Sequence, residues 1–464
     1  MSTVSEISSL LETLTTSIDV FKAELYRQGF SEPSSMTSKP HLIDDPSYVA
    51  PPLMYEARRL AIGSLDRLKL LLESPFEALA SACLAEGEIQ GLRLVTEIGL
   101  REVLEDAADP EAGEEIRVIA EKTKTDPVKL GEESVLRLLA NAGWFRETKP
   151  DYFANNRRSH TLKAGSKGFY AAKNIKLPEA MTHPDEGFRM SRNPDKTGWN
   201  LYSGSELPFF GPYSWLEKKP GEAQKFALGM GGYGIASDNG VAYDVPWVDL
   251  VKDKDAIVDV GGGQGTLCCS LAEAHPEIKR FIVQDLPATR QAAEKYISSN
   301  GLSDRVKFEE QNFFEANKRK GKGSYIFVMQ KVLHDWSDEE GAKILRNIRE
   351  CLEDGKSRML IIDPIIPPVL VNSEGPNARQ SLTALEGQTR YTPVQPPPFV
   401  PQDFGMNRRI AHQVNICLIA LCNSFERTYA SMENMVSMAG MKIRRVTTTR
   451  AYVHVTEVEV DPEA

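Results

Sequence analysis

The sequence predicts an α/β protein, with a doubly wound and largely parallel sheet in its C-terminal half and a helical N-terminal part ahead of it. Three observations carry this. From about Asp255 the chain alternates short β-branched or aromatic runs, "AIVDV", "RFIVQ", "VKFEE", "SYIFVMQ" and "RMLIID", with helical stretches, the texture of βαβ units. The first run ends in a glycine turn, "IVDVGGGQGT" from Ile257 to Thr266, and the second in an acid, Asp285 of "FIVQDLP". Before Asp255, apolar residues recur mostly at helical spacing. With 464 residues the chain exceeds one ordinary core, so two domains or one domain with a helical extension are expected.

Read in order, the chain divides into residues 1–54, 55–235 and 236–464. Ile7, Leu10, Leu11, Leu14, Ile18, Phe21 and Leu25 line one helix, and Gly29 is placed to end it. Ser31 to Pro52 reads as a loose Ser/Pro-rich linker. A second helical region follows from Tyr55; this arm either packs on another subunit or folds on its own chain. "ESVLRLLANAGWFRETKPDYFANN" reads as a helix and two short strands, a winged-helix-like module. "KIRRVTTT" and "YVHVTEVEV" should pair as a hairpin at the sheet edge. Between Pro364 and Gln402 lies a proline-rich insertion too long for a simple connection, hence a lid or a partly disordered segment.

Composition narrows the function. With 55 Lys and Arg against 65 Asp and Glu, a net charge of -10, a nucleic-acid partner is not expected, since such binding rests on neutralising phosphates. No apolar run reaches the length of a membrane span, and "MSTVSEISSL" lacks the basic flank of a secretory signal; a cytoplasmic protein without a membrane partner is expected. Cys83, Cys268, Cys269, Cys351, Cys417 and Cys422 form no CxxC pair and have no histidines at zinc spacing, so they read as reduced thiols and no metal is expected.

The glycine turn is short of the dinucleotide fingerprint GxGxxG. Counted from Gly261 or Gly263, the last glycine would fall at Thr266 or Cys268, so an NAD or FAD site is disfavoured. Asp285, at the end of the second strand, can accept both hydroxyls of a ribose bound across the turn, or it caps the helix starting near Ala288. Turn and acid together fit a nucleoside ligand without phosphate, such as S-adenosylmethionine. In "VMQKVLHDWSDEE", His334 follows a strand and belongs at the same sheet edge; Ser337 and Glu340 have capping-box spacing that would start the next helix just beyond it. Its ordinary pKa suits proton transfer near neutral pH.

At these residues the chain resembles the S-adenosylmethionine-dependent small-molecule O-methyltransferases of fungi and plants, the caffeate and sterigmatocystin O-methyltransferase type. "VDVGGGQGT", "QDLP", "LHDWSDEE" and "FERT" occur in the family's order, and the likeness runs from about Tyr55 to Val460. It implies a winged-helix-like helical part that intertwines in a homodimer, followed by a Rossmann-like methyltransferase domain. His334 resembles the general base that deprotonates the acceptor hydroxyl. Asp363 in "IIDPIIP" stands where the family has a glutamate, and Glu426 in "SFERT" matches another; both would orient the histidine. Gly261, Gly263, Asp285, Leu286, Asn312, Phe313 and Met230 would contact the cofactor, which leaves as S-adenosylhomocysteine. Phe226 would line the acceptor pocket, and Asn415 would either line it or belong to the core. Asn312 departs from the family's usual aspartate, and Asp363 is shorter than the residue it replaces.

Two rival readings follow. Some fungal relatives of this fold keep the cofactor but promote dehydration or pericyclic ring closure of a polyketide-derived substrate; here His160 and Lys331 could serve such chemistry, or be a helix-start residue and a solvated charge. A winged-helix regulator that senses a nucleoside is the third reading, against which the acidic composition counts.

Overall fold

The computed structural model describes residues 5–463 apart from 46, 76–77, 80–81, 83–84, 126, 128–129, 131–134, 163–175, 212, 224–225, 227–229, 231–239, 368–371, 387, 389 and 403. Cys83, the boundary at 235 and 236, part of "KFALGM" and Asp403 lie outside the described residues. The chain forms two compact units. One comprises Met1–Lys173, Lys218–Ala236 and Asn377–Leu382, the other Asn174–Glu217, Ser237–Pro376 and Thr383–Ala464.

In the first unit, α1 (Glu6–Arg27) and α2 (Pro52–Leu72) form an antiparallel pair. Glu6 meets Arg67 at 3.0 Å, and Gln28 reaches Met54 Sδ at 3.5 Å. Gly29 ends α1 with a φ of 80°, a conformation in which a Cβ would be strained. The buried face of α1 is partly polar, with Leu10, Thr13, Ser17, Glu24 and Leu25, while Ile7, Leu11 and Ile18 stay exposed. The segment that reads as a loose linker is tied down. Arg157 donates to Asp44, His160 Nε2 bonds the carbonyl of Ser38, and Glu111 accepts from the Ser38 hydroxyl at 2.6 Å. Such long-range partners leave no local periodicity, which is why the segment reads as loose. Beyond α3 (Val135–Asn141), strands β2 (Phe145–Lys149) and β3 (Tyr152–Asn155) form a hairpin, which β1 (Glu114–Glu115) extends to the order β1-β3-β2. Phe145, Phe153, Leu136 and Leu139 bury their apolar faces together there.

The second unit is built on a seven-stranded sheet: β4 (Ala256–Val260), β5 (Phe281–Asp285), β6 (Val306–Glu310), β7 (Tyr325–Gln330), β8 (Arg358–Asp363), β9 (Met441–Thr448) and β10 (His454–Val460). The order is β6-β5-β4-β7-β8-β10-β9, parallel from β6 to β8 and closed by the antiparallel β9 and β10 hairpin. Successive residues point to opposite faces. Ile257, Phe281, Val283, Ile326 and Val328 therefore enter one core with α4 (Thr266–Ala274) and α5 (Arg290–Ser299), while Val258, Val260, Ile282, Phe327 and Met329 enter the other with α6 (Asp338–Arg349) and α8 (Tyr429–Met438). Burial on both faces explains why these strands read as unbroken apolar runs. Helix α7 (Arg409–Cys422) precedes α8.

Residues 174–217 fall in this second unit, not with the helical part that the sequence reading assigned to 55–235. Asn423 Nδ2 donates to the carbonyls of Asn193 and Lys196, and Gly211, with a φ of 94°, lies so close to Trp336 that a Cβ would sit 2.9 Å from the indole. Described parts of the insertion are packed: Tyr391, Val394 and Val400 are buried, and Tyr391 faces Arg450, which pairs with Asp244 at 2.7 Å.

Candidate active site

The order of the sheet reverses between β4 and β7, so a crevice opens at the carboxyl ends of these paired strands, where ligands of doubly wound sheets bind. The glycine turn leaves β4 there. Gly261, Gly263 and Gly265 have φ of 75°, 55° and 82°. At Gly265 an added Cβ would lie 3.0 Å from Val283, and at Gly261 it would lie 2.9 Å from Val332; at Gly263 it would meet nothing within 4 Å. Two glycines are thus needed for close packing and the third for open backbone beside free space.

Asp285 closes this turn. Its Oδ2 accepts the Gly263 N–H at 2.8 Å, and its Oδ1 accepts the Leu286 N–H at 2.7 Å and the Thr289 hydroxyl at 3.1 Å. The carboxylate thus anchors the glycine turn and the chain just beyond β5. A carboxylate has about four acceptor positions, which leaves one on Oδ2. Asn312 makes its own turn, with Oδ1 accepting from the Phe314 N–H at 3.0 Å and Nδ2 donating to Glu315 at 3.2 Å. Phe313 stands 3.4 Å from the Cβ position of Gly261 and packs edge-on against Trp336.

Next to Asp285, Asp259 is fully buried, and burial followed by the charge of Asp285 pushes its carboxyl up to about 7. The folded state then holds a proton that the unfolded chain gives up at lower pH. Asp259 accordingly costs stability that grows from about pH 4 to pH 7, at most about 1.4 kcal/mol per pH unit. Asp259→Asn is expected to gain stability over the unchanged protein across that window, read from urea unfolding at a series of pH values; parallel curves would contradict it.

The histidine loop leaves β7 on the adjacent strand, and Val332 of this loop is the residue packed on Gly261. His334, 7% exposed, presents Nδ1 to Glu426 Oε1 at 2.9 Å. A carboxylate only accepts, so Nδ1 carries the hydrogen and Nε2 is the proton-accepting nitrogen of the neutral ring. Nε2 lies 3.7 Å from Asp335 Oδ1. Burial alone would push the imidazole down, but Glu426, then Asp335 and Asp363, outweigh it and hold His334 up at about 10. Burial also raises Asp363 to about 6, although His334 draws it down. Asp363 Oδ1 accepts the backbone N–H of Lys331 at 2.9 Å, and Lys331 holds a φ of 54° to deliver it. Asp363 thus reaches the group through charge and the loop backbone, while Glu426 makes the direct bond. Ser337 caps α6 as the spacing suggests, accepting the Glu340 N–H at 3.3 Å; Glu340's own side chain turns to Lys343.

Asn415 enters the site from α7, where its Oδ1 accepts the backbone N–H of Glu426 at 2.8 Å. Phe226, Met230 and His160 belong to the first unit; Met230 is 48% exposed there. Sequence reasoning missed Asp335, Ser424 and Arg427. Asp335 adjoins the histidine, and the other two flank Glu426 in "SFERT", so chain proximity was the available signal; burial of an arginine was not readable.

Over residues 213–391 the chain matches the O-methyltransferase domain family. It is 28% identical to O-methyltransferase tpcA of Aspergillus fumigatus, with 87% of each chain covered. With sterigmatocystin 8-O-methyltransferase of Aspergillus flavus it shares 27% identity over 67% of this chain and 71% of the other. Among solved structures, LepI in complex with SAM matches with a TM-score of 0.67 at 20% identity, covering 87% of this chain and 93% of that one. Mitomycin 7-O-methyltransferase MmcR matches at 0.59 and 21%, covering 83% and 97%. The likeness to these structures shows the fold, a Rossmann-like doubly wound sheet with a helical N-terminal part. Within that fold, the part of the chain over residues 213–391 is similar to the O-methyltransferase domain, and its curated relatives are fungal O-methyltransferases.

Proposed function

We propose that the protein transfers a methyl group from S-adenosylmethionine to a phenolic or enolic hydroxyl of a secondary metabolite, with His334 as the general base. The observation that carries this is the buried His334 and Glu426 pair, held on the loop whose Val332 packs on the glycine turn. Gly263 offers bare backbone to the cofactor, with Gly261 beside it packed on Val332, Asp285 keeps one acceptor position for a ribose hydroxyl, and Phe313 supplies an apolar wall. When bound, the cofactor supplies an electrophilic methyl carbon on a positively charged sulfur. His334 orients by its Nδ1 bond to Glu426, takes the acceptor proton at Nε2, and is stabilised as the imidazolium by the surrounding carboxylates.

The surrounding carboxylates hold His334 up at about 10, which favours its protonated form at neutral pH. His334 gives up this proton when a second positive charge enters the crevice, because like charges disfavour each other. S-adenosylmethionine binding at pH 8 is therefore expected to release more protons per site than binding of S-adenosylhomocysteine, which lacks the sulfonium charge. Calorimetry in buffers of different ionisation enthalpy reads this; equal release by both ligands would contradict it.

The test of the reaction is the exact product mass, with and without His334→Ala. A product of unchanged mass, or lighter by one water, would favour dehydration or pericyclic chemistry instead. We also propose a cytoplasmic homodimer. Supporting it, Ile7, Leu11 and Ile18 of α1 and Leu65 and Leu72 of α2 are exposed apolar residues on one helical pair, the sort of surface a partner helix covers. Light scattering should give about twice the 51.6 kDa chain mass; a monomer at micromolar concentration would contradict it.

A further inference from the structure

We propose that Arg427, assisted by Ser424, is a positioning residue that sets the contact between His334 and Glu426 by clamping the backbone on both sides of the histidine. Arg427 is 1% exposed, and a buried guanidinium is tolerated only when its donors are satisfied. Its Nη1 donates to the carbonyl of Leu333 at 2.7 Å, its Nη2 to the carbonyl of Trp336 at 2.8 Å, and its Nε to Asp338 Oδ1 at 2.9 Å. These partners bracket His334 and reach the first residue of α6. Ser424 Oγ lies on the carbonyl of His334 as well, and 3.0 Å from that of Trp336.

The loop needs such support. Its own backbone bonds, Asp335 N–H to Val332 and Trp336 N–H to Leu333, are long at 3.2 and 3.3 Å. From its other side the Arg427 carbonyl accepts the Ile366 N–H at 2.9 Å, and Arg427 pairs in parallel with Ile365, two residues beyond Asp363. One side chain and its backbone thus join the histidine loop, the start of α6 and the exit of β8. Glu426 is the adjacent residue, with its own N–H held by Asn415, so the ring and its carboxylate face each other between fixed backbones. Only a planar fork reaches three such acceptors; a lysine ammonium at that depth can serve one or two.

The consequence for catalysis rests on the methyl-transfer reading, but the geometry is measurable without any reaction. The full chain is prepared as Ser424→Ala, Arg427→Lys and Arg427→Met, and the His334 imidazole is titrated by NMR in the ligand-free protein, with His334→Ala for assignment. Loosening the clamp should move the titration from about 10 toward an ordinary histidine, least in Ser424→Ala and most in Arg427→Met. In parallel, kcat should fall about tenfold or more in Arg427→Lys, against the 10²–10⁴-fold that a general base contributes, with KM for S-adenosylmethionine changed less than about twofold. A titration that stays in place in Ser424→Ala and Arg427→Lys while melting temperature drops would overturn the proposal and leave Arg427 a purely structural residue. Should Arg427→Met not fold, the two milder variants decide. If the titration shifts as expected and no variant, nor the unchanged protein, transfers a methyl group, the clamp stands and the reaction reading fails.

Discussion

His334→Ala is expected to abolish formation of the product one methylene unit heavier than its precursor, while S-adenosylmethionine still binds within a few fold of its affinity for the unchanged protein. A phenol is a weak nucleophile until its proton leaves, and a positioned base contributes about 10²–10⁴-fold. His334 is held by the 2.9 Å bond to Glu426, so its removal takes away the proposed proton acceptor and leaves a buried carboxylate without that partner. The groups proposed to hold the cofactor leave β4 and β5 instead of β7, and Val332 of the histidine loop packs on the glycine turn. Exact mass of the accumulated metabolite in a producing host reads the first outcome, and calorimetry the second. Retained methylation in the variant would remove His334 from the mechanism. A product of the precursor's mass, or lighter by one water, in the unchanged protein would turn attention to Lys331 and to His160, whose Nε2 is bonded to the carbonyl of Ser38.

Asp285→Ala should act in the opposite sense, weakening cofactor binding first. The carboxylate anchors Gly263, Leu286 and Thr289, so the variant loses the proposed ribose acceptor and the brace of the turn beside it. Hydrogen bonds to a charged group contribute about 1.5–3 kcal/mol each, so the loss of one ribose contact predicts about a 10- to 150-fold rise in Kd. At saturating cofactor, kcat should stay within a few fold. Asp285→Asn, which keeps one acceptor oxygen, should fall between the two. Comparable affinity in Asp285→Ala and the unchanged protein would show that the ribose is read elsewhere.

Where the sequence was legible, the signal was local. Strands β4, β5, β7 and β8 are apolar on both faces because both faces are buried, and that burial is written as unbroken runs. Gly29 and the glycines of the turn needed a positive φ, and Ser337 needed only the next three residues to cap α6. The segment 31–52 and the proline-rich insertion misled for the converse reason. Their order comes from partners such as Arg157, His160 and Arg450, tens to more than a hundred residues away, which leave no period in the chain.

By itself, then, the sequence determined the kind of sheet, the bare turn after β4, the acid after β5 and the histidine after β7, since each follows from the residues within a few positions of it. Tertiary structure decided which carboxylate touches His334. Glu426 and Asp363 were both candidates along the chain, Asp363 the shorter, and Glu426 makes the bond while the Lys331 N–H holds Asp363. It also decided that Asn415, Ser424 and Arg427 brace that pair. The physical reason is that a buried ion must find acceptors and donors wherever the packed chain supplies them, and which atoms those are depends on the crossing of strands and helices that no local pattern encodes.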